Sequence, residues 1–424
     1  MSAGAAELLS SPYGESSYEQ IRSLKKALAD KSSMILALDD LQMTRFPLLL
    51  RPPQFGKSTF VQMLKCFYDI SYKDRYDELF AGTDIYNANL KSHNTYHVLD
   101  IDFSQVSTRD EEEMYSSFLA AVTSGISQFK DRYPDFTFEF DSLSLSDPVS
   151  LFTQFESAYI RYSREGRLYL MIDAYDGFAS RLLSRDPDLL RSSFYLLRDF
   201  YATIKAATAN ACSIAKIFIT GESSISLDSI TTGFNIALDV SSYRNLVSYA
   251  GLTEEELQKL IPELVDVAGL GTTADELIAL MKPVYGGYCF SRFAGSTLYS
   301  PSMCLHYLDR VQKDQEILPP EQILDPASDP DGTGLSRLFD CAEKGLPAYI
   351  AGTCLRGDPF LIDRPALNIR LNTAKFNRDQ FLSLLFYHGY LAIDHKLSSS
   401  DRLVLKIPNI FVAKQFAKHT AAFA

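Results

Sequence analysis

Short apolar runs alternate with stretches of helical spacing through the first half of the chain. Tyr18–Ala29 carries Ile21, Leu24 and Leu28 at helical spacing. Phe46–Leu50 (FPLLL) is a continuous apolar run that ends at a loop containing Pro and Gly, and Ser58–Asp69 beyond it reads as a helix. Tyr96–Phe103 (YHVLDIDF), Leu168–Asp173 (LYLMID) and Ala215–Thr220 (AKIFIT) are three further strands. Between them, Glu111–Arg132 places Met114, Phe118, Val122 and Ile126 on one helical face, and Asp147–Ser163 and Asp186–Asn210 are long helical patterns. Short apolar strands separated by helices predict an α/β fold with a central parallel sheet, because such strands are buried on both faces.

The alternation stops near Leu246. Thr253–Leu264 opens on T-E-E-E, which resembles a capping box, and Thr273–Met281 is another helix. Pro319–Thr333 (PPEQILDPASDPDGT) is rich in Pro, Asp and Gly and reads as a linker. After it come a helix (Asn377–Tyr387), a hairpin (YLAID and RLVLKIP around KLSSSD) and a second helix (Phe411–Lys418). That order predicts a winged-helix-like C-terminal region. The first 15 or so residues are small and polar, and mobility is expected there.

Composition narrows the class. A chain of 424 residues implies about two or three domains. Hydrophobic content of 46%, with 28 Phe and 24 Tyr, supplies enough core material to exclude general disorder. A net charge of -12 repels a phosphate backbone on average, so nucleic acid is not indicated as a partner. The six cysteines (Cys66, Cys212, Cys289, Cys304, Cys341, Cys354) show no C-x-x-C spacing and read as free buried thiols of a reducing compartment. No apolar run approaches the roughly 18–20 residues that span a bilayer, and the N-terminus lacks the basic and apolar regions of a secretory signal. An intracellular protein, cytoplasmic or nuclear, is expected.

The candidate chemistry lies at Arg51–Thr59. The sequence LLLRPPQFGKST sets Gly56, Lys57 and Ser58 directly after an apolar strand and directly before a helix, the context of a phosphate-binding P-loop. Arg51, Pro52, Pro53, Gln54, Phe55, Gly56, Lys57, Ser58 and Thr59 form the loop. Its backbone N–H groups and the helix N-terminus present positive charge to phosphates. Lys57 would reach the β- and γ-phosphates, Ser58 would ligate Mg²⁺, and Gly56 lets the backbone come close without a Cβ. Arg51 stands where the general G-x-x-x-x-G-K-[ST] form has its first glycine. A second motif, LMIDAYD (170–176), puts Asp173 at a strand tip, where a Walker B carboxylate holds Mg²⁺; an Asp that caps the next turn is the alternative.

Together these stretches resemble the AAA-ATPase-like family of P-loop NTPases, whose members show R-P-R-R-F-G-K-S, I-D-E-Y-D and F-[IM]-T-G. Here they are RPPQFGKS (51–58), IDAYD (172–176) and FITG (218–221). TTGFNI (231–236), GLTEEEL (251–257), YGGYCF (285–290), YSPSMCLHYL (299–308), FLSLLFYHGYLAI (381–393) and LKIPN (405–409) agree as well, so the resemblance spans about residues 35–415. It accounts for Arg51, which the family uses at the glycine position. The order of elements divides the chain into an expected N-terminal segment (1–30), a P-loop ATPase-like domain (31–245), a helical lid (246–318) and the linker with its winged-helix-like domain (319–424). The family often adds a PD-(D/E)XK nuclease domain; the sequence to Ala424 shows no such cluster and leaves no room for one, so nuclease activity is not expected.

Three departures bear on activity. The family's acidic residue after the Walker B Asp is Ala174 here, and the loss of a general base costs about 10²–10⁴-fold in rate. Asp176 is a candidate replacement with a different aim, and Glu222 a further one. Cys289 stands where the family has an arginine that could sense the γ-phosphate; Arg292 can substitute, or be a solvated loop residue. Pro53 and Gln54 replace two basic residues. At other strand ends, Thr220 either touches the γ-phosphate or lytic water or serves the turn, and Asp102, on the strand the family sets beside the P-loop, either positions Mg²⁺ or caps. Arg244 is a candidate finger for a neighbouring subunit. His93 and His97 flank a strand start and do not suggest a metal site. The expectation is an ATP- and Mg²⁺-binding protein with slow or impaired hydrolysis that acts as a conformational or assembly switch, with itself or a partner protein. The alternatives are an active ATPase working on a polymer or partner, and a scaffold with a vestigial P-loop.

Overall fold

A computed structural model of the chain describes residues 8–40, 46–88, 90–141, 144–163, 167–183, 185–209, 213–224, 236–326, 334–362 and 375–420. Its centre is a sheet of five parallel strands: β1 (Pro47–Leu50), β2 (His97–Asp102), β3 (Leu168–Asp173), β4 (Ile214–Gly221) and β5 (Leu238–Asp239), in the order β2-β3-β4-β1-β5. β3 is buried at every position, as expected of a strand covered on both faces, whereas β2 at the sheet edge keeps three of its six residues at least partly exposed. Asp102 therefore does not lie beside the P-loop strand: β3 and β4 stand between β2 and β1. Its carboxylate accepts from the Ser104 N–H and hydroxyl, as a cap does.

The helices begin where the sequence places caps. Asp110, Asp147 and Asp186 accept from N–H groups of the first turns of Glu111–Arg132, Pro148–Tyr162 and Pro187–Thr208, and the latter two carry Pro in that turn. Thr253 and Thr273 form complete capping boxes with Glu256 and Glu276 at the heads of Glu254–Leu264 and Ala274–Tyr285. Those two helices and Pro301–Asp314 share a core of their own, with Leu257, Leu260, Leu277, Met281, Met303 and Tyr307.

The C-terminal region holds helices Gly334–Phe339, Leu346–Arg356, Arg378–Tyr387 and Ile410–Thr420 around an antiparallel sheet of β6 (Phe360–Ile362), β7 (Ala392–Ile393) and β8 (Leu403–Lys406), ordered β6-β8-β7. The predicted hairpin is β7–β8. β6 is an addition, a three-residue strand too short for periodicity to reveal. Phe381, Leu385, Phe386, Leu405 and Phe416 of this region pack into the same core as the central sheet.

Three expectations are corrected. The helix predicted over Tyr18–Ala29 ends at Ser23: Lys25 takes a left-handed φ of 51°, which turns the chain, leaving Leu24 63% exposed and sending Ala27 into the helical core. The N-terminus is docked from its first described residues, because the Leu9 N–H donates to Glu263 O at 2.8 Å and the Tyr13 hydroxyl to Asp325 at 2.6 Å. The first part of the linker is packed too: the Tyr285 hydroxyl donates to Pro320 O at 2.8 Å, and Ile323 is buried. Residues 327–333 of that linker, 231–235 of TTGFNI, and Cys212 lie outside the described residues. The other five cysteines are free and buried.

Candidate functional site

The loop after β1 is shaped by two left-handed residues, Gln54 (φ 64°) and Gly56 (φ 88°). Open space surrounds the place where a Cβ on Gly56 would lie, so the conformation and not crowding calls for glycine there. Arg51 has no positive φ, which is why a side chain is tolerated where the general P-loop form has its first glycine. Its N–H donates to Gly221 O at 3.1 Å, tying the loop to β4. The helix Lys57–Tyr68 starts at once, aiming its first free N–H groups at the loop. The Lys57 ammonium is buried and arches back over the loop, donating to Arg51 O (3.0 Å) and Pro52 O (2.9 Å).

β4 runs between β1 and β3, so Thr220 stands between the loop and Asp173. The buried Thr220 hydroxyl donates to Asp173 Oδ1, which also accepts the Ala174 N–H at 2.9 Å. Among the described residues the second Asp173 oxygen carries no hydrogen bond, and Ser58 is exposed at the head of its helix. That donor set suits a hard divalent cation, which takes one or two protein oxygens beside phosphate oxygens and water. Ala174 follows with a left-handed φ of 54°. Asp176, fully buried, accepts from the Glu222 N–H (2.9 Å), the Ser223 N–H (2.8 Å), the Ser223 hydroxyl (2.7 Å) and the Ser180 hydroxyl (3.3 Å). Both of its oxygens are thus engaged in holding the loop after β4 against the loop after β3. The Glu222 carboxyl is different. Burial lifts it above the ordinary carboxylate range, Lys57 and Arg181 oppose that rise, and Asp173 adds to it.

Pro52, Pro53, Gln54, Phe55 and Glu222 line one side of a cavity of about 400 Å³. Loop, lysine, strand-tip aspartate and polar strand end therefore meet at the carboxyl ends of parallel strands, where open α/β sheets bind ligands. The family model described as predicted AAA-ATPase matches residues 12–231, just over half of the chain. The chain belongs to this AAA-ATPase-like family. It is a P-loop NTPase in general type, and ATP is the nucleotide the family implies. Among solved structures, a Walker-type ATPase of Pyrococcus abyssi aligns with a TM-score of 0.50 at 12% identity, covering 92% of this chain and 96% of that one. At such identity the likeness is one of fold. No curated protein matches by sequence.

Other candidate residues of this AAA-ATPase-like protein lie away from Lys57. The Arg51 guanidinium is 1% exposed and sandwiched between the rings of Tyr249 (4.8 Å) and Phe290 (4.6 Å), donating to Leu50 O, Ser241 O and Val247 O at 2.7–3.0 Å. It braces the loop from behind and leaves only its backbone to the phosphate side. Arg292 donates to Ser399 O (3.2 Å) and Ser400 O (2.8 Å) in the C-terminal region and lines a separate cavity with Arg51. Arg244 is exposed. Cys289 is buried, with its thiol on Ser291 O at 3.2 Å. Thr59 is half-buried in the first turn of the P-loop helix.

The Phe55 ring packs edge-to-face with Tyr288 (4.9 Å) and Phe290 (5.4 Å). YGGYCF is itself locked to LKIPN: Asn409 Nδ2 donates to Gly286 O at 2.8 Å, and a Cβ on Gly287 would fall 1.9 Å from Pro408 O. The two motifs are thus halves of one joint. Sequence reasoning missed Arg181, Arg337 and His388, which also line the cavity. The available signal for His388 was its glycine neighbour in FYHGYLAI, a tight turn within a family-like stretch.

Proposed function

We propose that this protein binds Mg²⁺-ATP on the P-loop, hydrolyses it slowly, and uses its nucleotide state to set its conformation or its assembly with itself or a partner. The observation that carries the reading is the placement of the loop with its buried Lys57 after β1 and of Asp173 at the same end of β3, with Thr220 of the intervening β4 donating to Asp173. Lys57 would neutralise the β- and γ-phosphates, while Ser58 and one Asp173 oxygen would hold the metal. That ion would supply charge neutralisation on the phosphates. Ala174 offers no carboxylate to polarise water, an absence worth roughly 3–5.5 kcal/mol of barrier. Residues 31–245, 246–318 and 319–424 are the corresponding functional units. No helix among the described residues is long and apolar enough to cross a membrane, and an intracellular site of action is part of the reading.

The test is thermal unfolding with and without Mg-ATP. At about 100-fold over Kd, binding adds roughly 2.7 kcal/mol to the folded state, which raises the melting temperature. Lys57→Ala should abolish the shift; an equal shift in both proteins would sink this assignment of the loop. A second reading, a competent ATPase using Glu222 as its base, is favoured by the raised Glu222 carboxyl beside Lys57. It expects a measurable turnover that Glu222→Gln removes while ATP affinity is kept.

A further inference from the structure

The wall that faces the phosphate loop comes from the C-terminal region, and its nearest part is the turn after the helix Arg378–Tyr387. Gly389 in that turn has a left-handed φ of 80°, and a Cβ there would lie 3.2 Å from the Pro52 ring. The turn is therefore seated directly on the loop. His388, one residue earlier, lines the same cavity as Pro53, Gln54 and Glu222. Its Nε2 is buried and finds no hydrogen-bond partner among the described residues. Buried polar atoms in native proteins are rarely left so, and each one calls for an explanation such as an absent partner. Burial pushes the ring down to about 4, Asp176 opposes that shift and Lys57 adds to it. The imidazole is consequently neutral near pH 7 and stands within electrostatic reach of the lysine that serves the β- and γ-phosphates.

We propose that His388 donates a hydrogen bond from Nε2 to the γ-phosphate of bound ATP, so that the C-terminal region reads whether the loop holds ATP or ADP. This rests on the ATP-binding reading above and deepens it. The γ-phosphate is the group that differs between the two nucleotides, and His388, whose Nε2 finds no partner among the described residues, lines the same cavity as Pro53 and Gln54 of the loop. The joint formed by YGGYCF and LKIPN, with Phe55 wedged against Tyr288 and Phe290, provides a packed route between the loop and the same region. Arg292 and Arg244, on the helical side, do not line this cavity.

The experiment is calorimetric titration of the full chain with Mg-ATP and Mg-ADP, for wild type, His388→Phe and His388→Gln. A hydrogen bond to a charged phosphate oxygen corresponds to about tenfold to a hundredfold in affinity. His388→Phe should lose that factor for ATP and keep its ADP affinity, and His388→Gln, which retains an N–H donor, should recover most of the loss. Should the phenylalanine variant not fold, His388→Ala gives the same comparison without added bulk. An ATP-to-ADP ratio unchanged in a folded variant, or an equal loss of both nucleotides, overturns the inference and leaves the ATP site standing. Wild-type protein that binds neither nucleotide overturns both.

Discussion

Replacing Asp176 by Ala tests the junction on which the site is built. The carboxylate is 0% exposed and holds two backbone N–H groups, of Glu222 and Ser223, together with the hydroxyls of Ser223 and Ser180. Alanine would strand the two N–H donors, and each unmet buried donor costs roughly 1–3 kcal/mol. The hydroxyls can turn to other acceptors. Against this, the buried charge itself disappears: burial, followed by Glu222, raises the Asp176 pKa despite these hydrogen bonds, so the ionised form is held at a cost. The net expectation is a loss of about 2–4 kcal/mol of local stability, less in Asp176→Asn, which keeps one acceptor oxygen. Hydrogen exchange of peptides covering 214–224 reads this directly. Protection there should fall about thirtyfold to several-hundredfold, and Mg-ATP affinity should fall with it, because Thr220 and Glu222 ride on the same strand end. Protection within about threefold of wild type would refute the view that Asp176 clamps the two loops.

Ala174→Glu should raise ATP turnover by roughly two to four orders of magnitude with little change in affinity; the left-handed φ of 54° already accommodates a Cβ, so the backbone gains no new strain. Steady-state phosphate release measures it, and background turnover with intact binding would show that more than this one group is missing. Acid stability follows from Asp100. Burial works against its carboxylate, but Lys65 at 2.9 Å and Arg132 at 2.6 Å outweigh it, and its pKa lies below the ordinary value. A depressed folded-state pKa gives stability that is present above about pH 4 and lost as pH falls through the folded value. Lys65→Met should therefore move the acid-unfolding midpoint, followed by near-ultraviolet circular dichroism, to higher pH, and an unmoved midpoint would count against the pair.

What the sequence determined by itself was whatever is local in the chain. The phosphate loop is contiguous from Arg51 to Thr59, and its strand-before, helix-after setting follows from apolar runs and Gly56; Asp173 at a strand tip and the Thr253 cap are legible for the same reason. Strand order was beyond it, since pairing joins residues far apart, and only the sheet could place β4 between the loop and Asp173 and send β2 to the edge. Side-chain direction was beyond it as well. Arg51 and Asp176 both read as site residues, yet one guanidinium is sandwiched between aromatic rings behind the loop and one carboxylate is engaged by four donors. Glu222 and His388 come within electrostatic reach of Lys57 only through the packing of segments that lie far apart along the chain, and burial in that packing is the main cause of their raised and lowered proton affinities.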